Sequence, residues 1–269
     1  MIRPPARWTA LEVGQLVAFR ELGYRLMRRD VTLRYRQTLL GVSWVVLQPL
    51  LAAGAFTLIF GRIADLPAPE GIPYFLLAFW GATAFNAFNS CLTKSSSSLV
   101  ANSSLVNKVF FPRLLLPLST VGASVLDVTV ATVLGLLLGV QQGVLPGLAL
   151  LTLPVWIGAM LLLGLAGGVL FAPLMLRYRD VAYVLPLMSQ LLLYVSPVGY
   201  ALASVPDDLR TLYLLNPLAP LLEGARWAAL GGPPPPTGAV LYALAVSVAA
   251  LVAAALFFRQ QERVFADVL

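Results

Sequence analysis

The chain has 269 residues, of which 59% are hydrophobic and only 11% are charged, and its formal net charge is +6. A soluble domain carries about a quarter charged residues, so this composition excludes an ordinary water-soluble domain and predicts an all-α polytopic membrane protein. The sequence contains no histidine, which removes the commonest general base and metal ligand. A single cysteine, Cys91, excludes an internal disulfide and gives no indication of an oxidising compartment.

Residues 1–41 predict a cytoplasmic N-terminal region without a cleavable signal peptide. Between Leu16 and Arg29, apolar residues recur at helical spacing and arginines occupy the opposite face. The apolar set is Leu16, Phe19, Leu22 and Leu26, and the basic set is Arg20, Arg25, Arg28 and Arg29. Glu21 is placed one turn before Arg25 and is expected to pair with it. The pattern predicts an amphipathic helix that lies in the cytoplasmic interface of the membrane.

Six apolar segments are long enough to cross a bilayer, which takes about 20 residues. They cover residues 42–61, 73–92, 114–140, 148–176, 181–202 and 238–258, and residues 259–269 form a short tail. An even number of spans places both termini on one side. If that side is cytoplasmic, 15 of the 18 Lys and Arg residues lie in inner segments, as the positive-inside rule requires. The basic charge therefore reflects topology and contact with anionic lipid, and no nucleic-acid partner is expected.

The connection between the second and third spans, residues 95–112, is not a simple loop. Apolar residues recur at helical spacing on a polar background, and Pro112 ends the pattern. The set comprises Leu99, Val100, Leu105, Val106 and Val109, with Asn102, Asn107 and Lys108 between them. A short amphipathic helix here would suit insertion into a groove of a partner protein. The alternative is a solvated loop.

The third span contains an ionisable group, Asp127, near its middle. A carboxylate inside a membrane is costly, so a partner or a function is expected. We favour a protonated or hydrogen-bonded acid that holds helices together, with Ser124 and Thr129 as candidate helpers. The alternative is that Asp127 lines a wet path through the protein.

Residues 206–232 are too apolar for an exposed loop. Asp207 and Asp208 follow Pro206 and predict a helix start. Asn216-Pro217 breaks that helix, and a second helix over 219–230 is ended by two glycines. Each helix is too short to span, so we expect a re-entrant helical hairpin in the outer leaflet, whose corner must be buried in protein or line a cavity.

Two charged residues of the second hairpin helix, Glu223 and Arg226, are three positions apart. They therefore share one face of the helix. They are expected to pair either with each other or with a second copy of the chain.

Three stretches resemble the membrane subunits of type-2 ABC exporters, in the branch that exports O-antigen, capsule and teichoic acid. The first, RDVTLRYRQTLLGVSWVVLQPLLAAGAFTLIFGR, is similar to the entry to that family's first span. The second, SSSSLVANSSLVNKVFFPRLLLPLS, resembles its connection between spans two and three. The third, SPVGYALASVPDDLRTLYLLNPLAPLLEGARWAALGG, resembles its segment between spans five and six. The stretches occur in the family's order and extend over nearly the whole chain.

The resemblance implies a homodimer in a bacterial cytoplasmic membrane, with two copies of a separate ATPase subunit on the cytoplasmic side. It also implies that a glycan on an isoprenoid-lipid carrier moves outward along the dimer interface. Residues 95–112 then form the coupling helix, with candidate contacts at Leu99, Asn102, Leu105, Val106, Asn107 and Lys108. The outer hairpin becomes an external gate, with candidate residues Asp207, Asp208, Leu215, Asn216, Glu223, Arg226 and Trp227.

Two interpretations stay open for the arginine cluster before the first span, which comprises Arg25, Arg28, Arg29, Arg34 and Arg36. One is that these residues only anchor the cytoplasmic end of the span. The other is that they contact the ATPase or the carrier's diphosphate, because the planar guanidinium binds carboxylate and phosphate through two hydrogen bonds.

A glycan path needs many weak contacts and no deep binding site, as conduction through pores does. Aromatic rings stack on the apolar faces of sugars, and amides bind sugar hydroxyls. The candidate path residues are Phe56, Phe60, Trp80, Phe85, Asn86, Phe88, Asn89, Tyr194 and Tyr200. The alternative is that these aromatics pack between helices or face lipid.

The sequence contains no G-x-x-x-x-G-K-[ST] phosphate-binding loop. We therefore expect no cofactor on this chain, with ATP and magnesium bound by the partner subunit.

One alternative function is a type-2 exporter of a drug, haem or a simple lipid. A membrane-embedded glycolipid-processing enzyme is less favoured because the inner segments carry only scattered acids, and nothing in the sequence requires a passive channel.

Overall fold

The computed structural model describes residues 13–35, 43–109 and 111–262, and every regular element in these ranges is helical. In chain order the α-helices are α1 (Val13–Ala18), α2 (Arg20–Tyr35), α3 (Ser43–Phe56), α4 (Tyr74–Ala101), α5 (Ser103–Lys108), α6 (Leu115–Ser119), α7 (Val121–Gln141), α8 (Leu153–Arg177), α9 (Val181–Val195), α10 (Asp207–Leu215), α11 (Leu218–Leu230) and α12 (Thr237–Glu262). A π-helix (Thr57–Ile63) follows α3, and short 3-10 helices occupy Leu148–Thr152 and Leu202–Ser204. The all-α prediction is confirmed for the described residues.

Within the described ranges, five helical segments are long and apolar enough to cross a membrane. They are Ser43–Ile63, Tyr74–Ala101, Leu115–Gln141, Leu148–Arg177 and Thr237–Glu262. The chain is thus a multi-pass membrane protein. The predicted fifth span over 181–202 is helical only as far as Val195, and α9 has 15 residues. At 1.5 Å per residue it is about 22 Å long, which is shorter than the roughly 30 Å hydrocarbon core.

Proline explains why α9 ends early. Ser196 precedes Pro197 and has an extended backbone (φ −104°, ψ 146°). A residue before proline is driven out of the helical region by the proline ring. The chain therefore leaves the helix before the predicted boundary.

The second span extends further than the sequence predicts. Helix α4 has 28 residues and runs to Ala101, so Ser95–Ala101 continue the span instead of starting a connection. Asn102 then leaves helical geometry, and its side-chain Nδ2 donates to the carbonyl of Ser98 at 2.8 Å. Only α5, with 6 residues, forms a separate short helix in the predicted coupling segment.

Helix α4 lies at the centre of the bundle and packs against α3, α7, α8 and α11, while α8 also packs against α12. Gly164 and Gly168 of α8 permit close contact with α4. A Cβ atom at Gly164 would overlap the carbonyl of Phe88, and one at Gly168 would overlap Ser95. Small residues at a membrane helix interface bring backbones together in this way.

Helix α2 rests on one end of the bundle. Leu26 is buried, and Met27 fills the space above Gly122 of α7, where a Cβ atom would overlap the Met27 side chain. Arg25 and Arg28 are exposed, and the predicted pair between Arg25 and Glu21 is confirmed at 2.6 Å. Arg113 Nη1 donates to the carbonyl of Glu262 at 3.1 Å, which places the last residue of α12 here as well. We call this end, which includes α2, α5 and α6, the α5 end.

The opposite end carries the two helices of the predicted hairpin. The break at Asn216-Pro217 and the pair of helices are confirmed by α10 and α11. Helix α11 ends at Gly231 and Gly232, whose φ values of +82° and +93° lie where side chains are strained. Helix α11 is largely buried against α4 and α8, whereas α10 buries none of its residues. We call this the α10 end.

Candidate functional site

At the α5 end, a hydrogen bond joins α2 to the junction between α4 and α5. Arg29 Nη2 donates to Asn102 Oδ1 at 2.6 Å and to Asp30 Oδ1 at 2.9 Å. Asn102 is the residue at which the chain turns from α4 into α5. A guanidinium donor makes this a charge-assisted bond. The bond therefore joins α2 to the start of α5.

The structure distributes the predicted coupling residues between the core and the surface. Leu99 is fully buried in α4 and Val106 is buried in α5, while Leu105 packs partly against the core. Lys108 is exposed. The surface that α5 offers to a partner therefore includes Lys108, whereas Leu99 faces other helices of its own chain. Arg36 and the side chains of Arg34 and Asn107 lie outside the described residues.

Asp127 forms an ion pair across two spans. Lys94 Nζ of α4 lies 2.8 Å from Asp127 Oδ2 of α7, and their side chains are 23% and 16% exposed. Ser124 accepts from Lys94 at 3.4 Å, whereas the Thr129 hydroxyl donates to the carbonyl of Val125. The expectation of a bonded acid between helices is confirmed, with Lys94 as the partner that sequence reasoning missed.

The position of Asp127 agrees with the prediction. The structure divides residues 115–141 into α6 and α7, and Asp127 is the thirteenth of the 27 residues of the spanning segment Leu115–Gln141. Asp127 therefore lies near the middle of this span. Lys94 belongs to α4, whereas the sequence interpretation placed it at the edge of the connection.

The two predicted amides of the glycan path lie beside this ion pair. Asn86 and Asn89 line the same cleft as Lys94 and Asp127, between α3, α4 and α7. Asn89 Oδ1 accepts a hydrogen bond from the Ser189 hydroxyl of α9. The structure thus brings the predicted amides and the predicted acid together in one polar cleft.

The predicted path aromatics fall into three groups. Trp80, Phe85 and Phe88 are buried in the core among their own chain's helices, which is the packing alternative. Their burial removes them from any surface that this conformation presents to a glycan. Tyr194 is 60% exposed on α9.

The third group is a cluster of Phe56, Phe60 and Tyr200 near the α10 end. The Phe60 ring centroid lies 6.0 Å from that of Phe56 and 5.6 Å from that of Tyr200. The absence of a side chain at Gly199 makes room for both phenylalanines. The π-helix after α3 is thereby fixed to the chain that follows α9.

Arg226 is a buried clamp at the α10 end. It is 4% exposed, and its Nη2 donates to the carbonyl of Val198 at 2.6 Å. Its Nη1 donates to the carbonyl of Tyr200 and to Glu223 Oε1, both at 2.9 Å, and its Nε donates to the carbonyl of Leu77 at 3.2 Å. Of the two predicted alternatives, the structure shows that Glu223 and Arg226 pair with each other.

Arg226 donates hydrogen bonds to backbone carbonyls that lie outside any helix. Residues 196–201 are not helical, and unpaired carbonyls inside a membrane cost several kcal/mol each. Arg226 donates to two of these carbonyls, while Glu223 accepts from the amide of Leu202 at 2.9 Å. Gly81 of α4 makes the arrangement possible, because a Cβ atom there would overlap Arg226 and Val198.

The remaining predicted gate residues divide between the two hairpin helices. Asp207, Asp208 and Leu215 are exposed on α10, and Asp207 pairs with Arg210 at 3.3 Å. Asn216 Nδ2 donates to Ser196 Oγ at 2.9 Å, which connects the corner of the hairpin to the end of α9. Trp227 of α11 packs edge-to-face against Trp156 of α8 at 6.4 Å.

Several residues of these sites were not singled out from the sequence. Ser189 and Gly81 give no distinctive pattern. Lys94 had a usable indication, because it precedes the only aspartate of the next span and opposite charges in neighbouring membrane helices are expected to pair.

Comparison with known proteins gives a consistent result. The ABC-2 type transporter family profile matches residues 22–230. The chain is similar to an O-antigen export system permease protein RfbA of Myxococcus xanthus, with 28% identity over 95% of this chain and 98% of that protein. It is also similar to a protein of the same name from Klebsiella pneumoniae (27% identity, 77% of this chain and 79% of that protein). A third relative is the polysialic acid transport protein KpsM of Escherichia coli (26% identity, 77% of this chain and 80% of that protein).

The family match covers the elements that the structure brings together, from α2 through the α4–α5 junction to the clamp on α11. The chain belongs to the ABC-2 type transporter family.

Proposed function

We propose that this chain is the permease subunit of an ATP-driven ABC exporter that moves a lipid-linked, O-antigen-like polysaccharide outward across the bacterial cytoplasmic membrane. The observation that carries the proposal is the similarity to an O-antigen export permease over 95% of this chain and 98% of the relative. A second relative is named for transport of another polysaccharide, polysialic acid. These names favour a polysaccharide over a drug, haem or simple lipid, and a transport subunit over an enzyme.

The energy for export comes from a separate ATPase subunit, present in two copies on the cytoplasmic side. The absence of a phosphate-binding loop from the sequence supports this division of labour. Helix α5 receives the motion of the ATPase, and its exposed residue Lys108 is part of the contact. The bond between Arg29 and Asn102 supports transmission of that motion to α2, which lies in the cytoplasmic interface.

The transport path lies between two copies of this chain, each contributing six spans with both termini in the cytoplasm. Helix α9 supports this arrangement, because Tyr183, Leu187, Leu191 and Tyr194 are exposed along it. A helix of 15 residues is too short to span a bilayer with lipid on every side, and a second copy would shield it. The excess of basic residues in the inner segments supports the orientation.

The outer hairpin is a re-entrant gate in which α11 is fixed and α10 moves. Arg226 and Trp227 hold α11 in the bundle, whereas α10 buries none of its residues. Three contacts near the end of α10 restrain it, from Tyr213 to Tyr200, from Tyr242 to Leu215 and from Asn216 to Ser196. Swinging α10 about this end would open the outer mouth without disturbing the core.

The experiment is purification of the chain together with the ATPase subunit of an ABC exporter from the same genome. The proposal predicts a complex with equal numbers of the two subunits and ATP hydrolysis that rises when a polyprenyl-diphosphate-linked glycan is added. An ATPase subunit without its phosphate-loop lysine is the control, and it must abolish hydrolysis. Hydrolysis by the permease chain alone, or hydrolysis indifferent to the glycan, would contradict the proposal.

A further inference from the structure

A polar cleft of about 280 Å³ opens between α3, α4 and α7 in a part of the chain that is otherwise apolar. The polar residues that line it are Gln48, Thr83, Asn86, Asn89, Ser90, Thr93, Lys94, Ser124 and Asp127. The apolar residues are Val45, Pro49, Ala87, Val128 and Ala131. The convergence of several polar groups in one cleft suits a small polar ligand.

Thr83, on the inner wall of the cleft, has a hydrogen-bonding group that its own chain does not use. The residue is 1% exposed, and its hydroxyl has no partner among the residues that the structure describes. Other helical threonines here behave differently, since Thr57, Thr93 and Thr129 each donate to the carbonyl four residues earlier. A buried hydroxyl without a partner is destabilising, which points to a ligand that supplies one.

The opposite wall includes a backbone carbonyl that lacks its usual helical donor. Pro49 lies inside α3 and has no N–H group, so it leaves the carbonyl of Val45 without its helical donor. Val45 and Pro49 both line the cleft, and Gln48 lies between them along the chain. The cleft therefore combines a hydroxyl, a backbone acceptor and the side-chain amides of Gln48 and Asn86.

The electrostatics of the cleft favour an uncharged ligand. Among the described residues that line the cleft, the charged ones are Lys94 and Asp127, which have opposite charges and lie 2.8 Å apart. An anion would approach the Asp127 carboxylate, and a cation would approach the Lys94 ammonium. Amides and hydroxyls, in contrast, donate to and accept from alcohol groups without a change of charge.

We propose that this cleft binds a neutral sugar unit of the glycan, through alcohol groups that bond Thr83 and the amides of Gln48 and Asn86. The inference rests on the proposed function and adds a selectivity to it. The chain then takes glycans of neutral sugars more readily than glycans of acidic sugars. The sugar satisfies the Thr83 hydroxyl that the folded chain leaves unpaired.

The first test is Thr83→Val, which removes the hydroxyl and keeps the shape of the side chain. The assay measures ATP hydrolysis by the complex against the concentration of a polyprenyl-diphosphate-linked oligosaccharide of neutral hexoses. Loss of one hydrogen bond of about 0.5–1.5 kcal/mol predicts a 2- to 10-fold rise in apparent KM. Thr129→Val is the matched control, because that hydroxyl is already bonded within its helix, and it should leave the KM unchanged.

The same variant separates a binding role from a structural one. The Thr83 hydroxyl has no partner in the described chain, so its removal should leave the thermal unfolding temperature unchanged or raise it. A lower unfolding temperature with an unchanged KM would overturn the proposal, because it would mean that the hydroxyl stabilises the folded chain and does not bind the sugar.

The second test places a reactive group in the cleft. In a Cys91→Ala background, Ser90→Cys introduces a single thiol into the cleft wall. We expect the neutral oligosaccharide on its carrier to slow thiol modification at least several-fold in a complex held with a non-hydrolysable ATP analogue. The carrier alone, or the carrier with an oligosaccharide of hexuronic acids, should protect less.

The outcomes distinguish this inference from the proposed function. In one outcome, the neutral glycan stimulates wild-type ATP hydrolysis, but Thr83→Val has no effect and the thiol is not protected. This outcome would overturn the sugar site in the cleft and leave the proposed function intact. That result would mean that the cleft holds only water. Absence of stimulation in the wild-type complex would instead contradict the proposed function.

Discussion

Arg226 connects α11 to α4 and to the non-helical chain after α9, through bonds to Leu77, Val198 and Tyr200. Arg226→Leu would remove the guanidinium donor from these carbonyls and would leave the Glu223 carboxylate with the Leu202 amide but without its cation. Breaking a buried pair in this way costs about 3–5 kcal/mol. We expect a clearly lower thermal unfolding temperature of the purified protein.

Lysine at position 226 should not rescue the variant, because an ammonium group lacks the planar fork of guanidinium donors. Arg210→Leu is the control on the neighbouring helix, where the ion pair with Asp207 is exposed. Its effect should stay within about 0.5 kcal/mol. Equal destabilisation by the two leucine variants would contradict the role given to Arg226.

A second prediction at the residue scale concerns how much the ion pair between Lys94 and Asp127 contributes to stability. Lys94→Met or Asp127→Leu alone should destabilise the protein, because each leaves a charge in an apolar bundle without its main partner. The double variant should recover part of the loss, since replacing both partners of a buried pair is often close to neutral. Thermal unfolding of all four proteins gives the coupling energy.

The Glu21–Arg25 pair provides the control cycle, because both of its side chains are highly exposed. Its coupling energy should be close to zero. A Lys94–Asp127 cycle that is also additive would show that the two charges do not stabilise each other.

Individual contacts were the hardest features to predict from the sequence. Glu21 and Arg25 were predictable because both lie on one helix at a fixed spacing. Lys94 and Asp127 are 33 positions apart, and their contact depends on the packing of α4 against α7. The burial of Trp80 and Phe88 depends on helix packing too. The sequence alone therefore does not distinguish aromatic residues of the core from aromatic residues that line a glycan path.

At the scale of elements, the contact between α2 and the α4–α5 junction is where the proposed coupling can be tested most directly. If the Arg29–Asn102 bond transmits motion, Arg29→Ala and Asn102→Ala should each lower the glycan-stimulated ATP hydrolysis of the complex. The bond is exposed, and an exposed charged contact of about 0.2–1 kcal/mol predicts a loss of up to about 5-fold. The double variant should lose no more than either single variant.

Arg20→Ala serves as the control, because Arg20 is exposed at the start of α2, nine positions before Arg29 in the sequence. It should leave the stimulated hydrolysis unchanged. Additive losses from the two single variants would show that Arg29 and Asn102 act separately.

Element boundaries were predictable where a single residue determines them. Asn216-Pro217 separates α10 from α11, and Gly231-Gly232 ends α11, as the sequence indicates. The end of α9 at Ser196-Pro197 was equally visible but was overlooked in favour of a continuous apolar run. The extension of α4 to Ala101 was not visible, because serines normally favour loops, whereas here Ser95, Ser96 and Ser98 are buried.

At the scale of the whole molecule, the described chain has a buried helical centre and partly exposed ends. Helices α4 and α8 form the centre, and the Arg226 clamp attaches α11 to it. The α5 end has a short, partly exposed helix whose preceding residue, Asn102, is bonded to α2. The α10 end has an exposed helix restrained near its end by a few hydrogen bonds. Composition and hydropathy predicted that this is a membrane protein and predicted most of its spans. The reason is that the apolar core of the bilayer dictates both the composition and the length of a spanning helix.

The central claim is that this chain is a conduit whose driving force comes from another subunit. The most direct measurement is transport of a polyprenyl-diphosphate-linked glycan into sealed proteoliposomes that contain this chain with or without its ATPase subunit. We predict glycan accumulation against a gradient only when the ATPase and hydrolysable ATP are both present. Accumulation by this chain alone, or no transport by the complete complex, would contradict the account.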